Sequence, residues 1–323
     1  MHALKLLLIL SLMHVSLDLK AQSWQAPKTI RLIIPQVAGG GADSIGRVIA
    51  QSLGEKLGST VIVDNRPGAN GGTGVEQLLH SSNDGSNLIL VFTSVMAINP
   101  AVYNKLNYDP LKDLKPLGAV CEVPMVMIAN TNMQVSSVNE LIAFIKSRPG
   151  TVFGASGGNG AFSHLLLELF NSKTGLSVAH VPFKGEAAAV QHVMSNQDSM
   201  IYFSTPTPVL GPAQSGRLKA LAVTTSQRMS QLPNVPSMSE LGMNDINESF
   251  WYGIAIQAST PSTVSDVLAQ AVFESAKTNV LIQSLDKIGC NSHPLTSIDF
   301  GERIKMDHAK YGAIARAVGM KID

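Results

Sequence analysis

The run Pro35-Gln36-Val37-Ala38-Gly39-Gly40-Gly41-Ala42-Asp43 joins two segments of different period. Before it, Thr29-Ile30-Arg31-Leu32-Ile33-Ile34 is short and rich in β-branched residues, the pattern of a buried strand; after it, Ile45, Val48, Ile49, Leu53 and Leu57 recur at helical spacing. Consecutive glycines in a strand-to-helix turn let the backbone approach a bound group, adopt positive φ and leave the first N–H groups of the helix facing outward. Such a site favours anions. Glycine-rich turns also arise from packing alone, and Asp43 reads equally as an N-cap. What favours a binding role is that the device recurs.

Its second copy is Thr151-Val152-Phe153, a strand, followed by the loop Gly154-Ala155-Ser156-Gly157-Gly158-Asn159-Gly160 and a helix marked by Phe162, Leu165, Leu166, Leu169 and Phe170. Around each copy the chain alternates strand and helix. Val61-Ile62-Val63 leads into a structured glycine-rich loop, Asn65 to Gly74, and Leu88 to Phe92 ends at the small hydroxyls Thr93-Ser94. In the second half, Val178 to Phe183 turns through Lys184-Gly185 into a helix carrying Ala187, Val190 and Met194. Met200 to Phe203 reaches Ser204-Thr205-Pro206, where Pro206 suits a first helical position, and Leu218 to Val223 closes the unit. Ligand groups in α/β sheets collect at the carboxyl ends of strands.

Leu117 to Ala129 reads as one long strand broken by Pro124, a crossover between units, and the aromatic run Phe250 to Ile256 returns the chain to the first unit. Ser262 to Asp323 reads as helical, covering the first sheet. Two crossovers between two α/β lobes imply a cleft. The predicted organisation is a signal peptide over 1–21, a discontinuous first lobe over 22–123 and 250–323, and a second lobe over 124–249.

A chain of 323 residues, 45% hydrophobic and 15% charged, has the length of two ordinary domains and ample core. Lys and Arg number 24 against 23 Asp and Glu, which leaves no basic excess for nucleic acid. Met1 to Ala21 carries Lys5 and then an apolar stretch from Leu4 to Val15, too short to span a bilayer; it reads as a secretory signal, with a soluble product in the periplasm. Cys121 and Cys290 lack metal-ligand spacing. A bridge requires Cα atoms within about 7 Å, and the expectation is two buried, unpaired cysteines.

Rival chemistries are weaker. Gly39-x-Gly41-x-x-Ser44 is only a fragment of the dinucleotide fingerprint, and export argues against a nicotinamide cofactor. Gly154-x-Ser156-x-Gly158 formally matches a nucleophile elbow, and an exported serine hydrolase would complete it with Asp266 or Asp286 and then His293 or His308. Against it, several residues separate Ser156 from the first apolar helix position. His164, His180 and His192 show no metal spacing, and a helix-surface or supporting role fits His164 better.

Pro35 with Gly39-Gly40 and Asp43, Asn65-Arg66-Pro67-Gly68-Ala69, Asn99-Pro100, Tyr108-Asp109-Pro110, His180-Val181-Pro182-Phe183-Lys184-Gly185 and Leu218 to Thr224 resemble, in one order, the Bug/TctC proteins, the solute-binding subunits of tripartite tricarboxylate transporters. The resemblance implies an α/β, two-lobed periplasmic-binding-protein type II fold with the ligand cleft between lobes. It also implies a small carboxylate ligand and integral-membrane transporter subunits as partners, the alternative being a ligand-sensing lobe for a membrane sensor; no catalytic activity, cofactor or metal is expected, and the expected form is a monomer. By position, Val37, Ala38, Gly39, Gly40, Gly41, Ala42 and Asp43 with Ser94 would line the first wall. Ser156, Gly157, Gly158, Asn159, Gly160 and Ser163 with Phe183, Lys184 and Ser204 would line the second. Three departures stand out: Ala42 replaces a hydroxyl residue, Glu186 stands where a small residue is usual, and Ser204 stands where aspartate is usual. Serine there predicts a wall without negative charge at this strand end, less discrimination against dianions and a preference for carboxylates without an amino group over amino acids.

Overall fold

A computed structural model describes residues 24–322; the signal expected at 1–21 lies outside the described residues. Strands β1 (Thr29–Ile34), β2 (Thr60–Asn65) and β3 (Asn87–Phe92) run parallel with β1 between the other two. They share a sheet with β4 (Leu114–Pro124), β10 (Ser249–Gln257) and β11 (Asn291–Leu295) in the order β11-β4-β10-β3-β1-β2, β10 lying antiparallel between β3 and β4. The second sheet contains β5 (Val126–Ala129), β6 (Val152–Ser156), β7 (Ala179–Pro182), β8 (Ser199–Ser204) and β9 (Lys219–Val223) in the order β7-β6-β8-β5-β9.

The apolar run of β1 follows from burial on both faces: Ile30, Leu32, Ile33 and Ile34 are wholly enclosed. Helix α1 (Gly41–Leu57) lays Ile45, Ile49 and Leu53 into the same core and stops at Gly58, whose φ of 64° supplies the left-handed cap. Each such side chain stabilises the fold by about 1.5–3 kcal/mol, so the strand, turn and helix are held as one rigid corner. The turn's position is thereby fixed by the core beneath it.

The stretch expected as one strand from Leu117 to Ala129 divides at Met125 between the two sheets. Thr224 ties this crossover to the returning one. Its Oγ1 accepts the Met125 N–H at 2.9 Å and donates to the Glu248 carbonyl at 2.6 Å, while the Glu248 N–H donates to the Thr224 carbonyl at 2.7 Å. Pro206, expected to open a helix, instead accepts the N–H groups of Val209 and Leu210 in the turn before the short helix Leu210–Gln214.

Two sequence expectations are corrected in the C-terminal part. Cys121 and Cys290 form a disulfide, Cα atoms 5.8 Å apart and 169 positions distant in sequence. Both are buried as expected, but β4 and the start of β11 bring them together. A cross-link closing so long a loop stabilises by about 2–4 kcal/mol and suits an oxidising compartment. Nor is the segment after Ser262 all helix, since β11 separates Asn279–Lys287 from the long helix Ser297–Ala317. Its Asn-Ser-His-Pro-Leu lacks apolar alternation; Pro294 is tolerated because the strand lies at a sheet edge, and the disulfide pins it there.

Candidate functional site

The carboxyl ends of β1, β3, β6, β7 and β8 deliver their loops to the space between the sheets. In the first loop Asp43, third residue of α1, reaches back: its Oδ2 accepts the Gly39 N–H at 3.0 Å and Arg47 Nε at 3.1 Å, and its Oδ1 accepts Asn65 Nδ2 at 3.1 Å. Burial raises the Asp43 pKa, but the Gly39 N–H, Arg47 and Asn65 outweigh it and hold the carboxyl below the usual range. Asp43 thus shapes the turn and is outside the lining of the cavity between the loops, and the N-cap position is Gly40.

The second loop is shaped without a carboxylate. Ser156 is fully buried, and its Oγ lies 2.9 Å from the Gly158 carbonyl, 3.1 Å from the Gly158 N–H and 2.6 Å from His180 Nε2. All three contacts are satisfied when Ser156 donates to the carbonyl and His180 donates from Nε2–H. In that arrangement the imidazole cannot take the serine proton. The His180 ring stacks on His164 at 3.6 Å between centroids, and His164 Nδ1 accepts the Gly160 N–H. Burial first, and the neighbouring His164 second, press the His180 pKa down to about 4 against the opposing pull of Glu168. Of the residues that could complete a hydrolase triad, Asp266 is engaged with Lys115, Asp286 with Gln231 and His293 with Glu122, while His308 Nδ1 is buried without a hydrogen-bond partner; Ser156 bonds His180 instead.

Between the loops lies a cavity, partly open to solvent and lined by residues from both glycine corners. Of the expected site residues, Val37, Gly40, Gly41, Ala42, Ser94, Gly157 and Ser163 line it. Ala38, Gly39, Asp43, Ser156, Gly158, Asn159, Gly160, Phe183, Lys184 and Ser204 are not among its lining residues. Ala38, Gly39, Asn159 and Lys184 are exposed, and Phe183 packs on His192 at 5.0 Å. Asn159 and Gly160 instead use their carbonyls to join the lobes, accepting from Tyr103 OH at 3.0 Å and Asn70 Nδ2 at 2.8 Å.

Sequence reasoning missed the aromatic floor and identified Glu186 only as a departure. Phe92, Phe250, Phe162 and Tyr252 form a chain of ring contacts at 5.1–5.5 Å, drawn from both lobes. Glu186 opens the helix Glu186–Ser195. Its Oε2 accepts the Gly41 N–H at 3.0 Å, and its Oε1 accepts from Thr205 N at 2.7 Å, Thr205 Oγ1 at 2.8 Å and Ser204 Oγ at 3.2 Å. The expectation of a wall without negative charge is therefore corrected: Ser204 carries no charge but binds one. Close approach explains two glycines here. A Cβ on Gly41 would collide with Thr205, and one on Gly185, whose φ is +98°, would come within 2.7 Å of Val37.

Two α/β lobes joined by paired crossovers, with a cavity lined from both, define a two-lobed periplasmic solute-binding protein. Residues 45–320 match the family described as "Tripartite tricarboxylate transporter family receptor", TctC, and the chain belongs to it; the members are substrate-binding receptors and not enzymes. Protein BugT of Bordetella pertussis is 30% identical over 296 residues, 91% of this chain and 90% of that protein. The structure of periplasmic binding protein BugD superposes with a TM-score of 0.86 at 26% identity, covering 92% of this chain and 99% of the other. That of R. palustris Rpa4515 with adipate gives 0.87 at 25%, covering 91% and 98%.

Proposed function

We propose that the protein is a periplasmic receptor that binds a small organic carboxylate between its lobes and delivers it to integral-membrane transporter subunits. It acts as a monomer, without nucleic acid, cofactor or metal. The observation that carries this reading is the cavity whose polar lining comes from both glycine-built corners, Gly40 and Gly41 on one side and Gly157 and Ser163 on the other. Neither wall alone surrounds a small anion. Adipate in the related Rpa4515 supports the ligand class. The same reading assigns residues 1–21 to an export signal, 22–123 with 250–323 to the first lobe and 124–249 to the second.

A thermal-shift screen of aliphatic and aromatic carboxylates tests it. A ligand at about a hundred times its Kd adds roughly 2.7 kcal/mol, a rise of several degrees for a protein of this size. If no carboxylate at millimolar concentration raises Tm, the receptor assignment for this ligand class is wrong.

A further inference from the structure

The N-terminus of α1 is the feature of this fold best suited to a ligand carboxylate, yet its first N–H already donates to Glu186. The four groups that hold the Glu186 carboxylate are backbone amides and hydroxyls. They satisfy its lone pairs, and beyond the helix N-termini of α1 and of Glu186–Ser195 no cationic side chain of the described residues is among its hydrogen-bond partners. Among the described residues that line the cavity there is no lysine, arginine or histidine, so Glu186 is the one charged side chain of the wall. Lys184, two residues earlier, is exposed and outside the lining.

The remaining lining includes five aromatic residues, Phe92, Phe162, Tyr202, Phe250 and Tyr252. Ring faces are negative; they attract a cation and offer an anion nothing. Tyr202 and Tyr252 stay neutral, because burial and then the nearby Glu186 charge push both phenols well above their ordinary pKa. A second ligand carboxylate would have to displace Glu186 from four donors or sit beside it unscreened. An ammonium group would find a carboxylate already in place.

Resting on the receptor reading above, we propose that Glu186 is the specificity-determining residue of the cleft, and that it selects ligands carrying a cationic nitrogen beside a single carboxylate over dicarboxylates of the same length. The nitrogen sits at Glu186 against the aromatic floor, and the ligand carboxylate faces the hydroxyls of Ser94 and Ser163.

Isothermal titration of the full mature chain tests this, with succinate, glutarate and adipate set against ω-amino acids of equal chain length, and with choline as a cation lacking carboxylate. Wild type binds the amino members at least tenfold more tightly than their dicarboxylate partners. Glu186→Gln, which keeps the shape and one acceptor, loses that preference or reverses it, whereas Glu186→Asp retains the sign; melting curves for both variants establish that they fold. Dicarboxylates binding wild type more tightly, or an unchanged ratio in folded Glu186→Gln, overturns the inference and leaves the receptor reading intact. Choline binding alone, lost in Glu186→Gln, upholds the role of Glu186 and removes the carboxylate reading. No binding by any of these probes to any of the proteins overturns both.

Discussion

The two glycine loops have similar sequences and opposite constructions. In the first, a buried carboxylate does the shaping: Asp43 gathers the Gly39 N–H, Arg47 and Asn65, and the helix that follows presents its N-terminus across the cleft. In the second, no carboxylate does the shaping: Ser156, Gly158 and His180 bind one another, the His164 ring stacks on His180, and the loop turns its carbonyls to the opposite lobe. Glycine runs therefore announce a close approach without saying what approaches. At Gly41 it is the Thr205 side chain with the Glu186 carboxylate behind it, and only part of each run reaches the cavity.

Removing the charge from the first loop is the severest way to test the contrast. Asp43→Ala leaves the Gly39 N–H without its acceptor, leaves Asn65 Nδ2 only the Gln36 carbonyl and frees Arg47. The cost is expected at about 2–4 kcal/mol, read from urea denaturation as a lowered midpoint at unchanged m. Ligand affinity falls with it, because the turn no longer holds the α1 N-terminus in place. A loss below about 0.5 kcal/mol, the range of an ordinary surface substitution, would mean that the core and not Asp43 sets the turn.

The contrast also explains how far sequence reading reached. The strand, turn and helix of each corner were legible because apolar period and glycine position are local properties; β1, α1 and the helix Phe162–Thr174 lie where the pattern put them, whereas β6 runs on through Gly154, Ala155 and Ser156, which were expected as loop. The carboxylate of Glu186 was not legible, since its partners at Gly41 and Thr205 lie on other elements and meet it only through the lobe arrangement. The disulfide failed for the same reason at longer range, and β11 because an edge strand beside it needs no alternation of its own. Ser156 was assigned to the wall by position in the loop, but its side chain points into the loop's own bonds.

That last misplacement gives a smaller test. If Ser156 is a brace, Ser156→Ala costs about 1–2 kcal/mol by stranding the Gly158 N–H and His180, and leaves ligand affinity within about threefold, under 1 kcal/mol. A fluorophosphonate probe should leave the wild-type serine unlabelled. Stoichiometric labelling abolished by Ser156→Ala would instead give His180 the role of a base and break the distinction between a loop shaped by a carboxylate and one shaped without it.

The smallest effect concerns pH, and its sign follows from His180. In the unfolded chain a histidine binds its proton near pH 6.5; in the folded chain the ring resists it down to about 4, because burial and then His164 oppose the charge more than Glu168 favours it. Between these values the unfolded state carries the extra proton, so stability rises with pH through the window, is fully present above about 6.5, and is lost as pH falls toward 4. A fully enclosed ring would contribute about 3 kcal/mol; solvent at this half-buried position screens that to about 1 kcal/mol. Carboxylates titrate in the same range, so the measurement is the difference between wild type and His180→Gln, followed by denaturation at several pH values. Above pH 7 the difference should be constant and reflect only the lost bond to Ser156. Below it the difference should shrink as wild type loses what the variant never had. A difference that stays level from pH 4 to 7 would show that the stacked histidine pair holds its proton in the fold as readily as outside it, and the second loop would then be shaped by charge as the first one is.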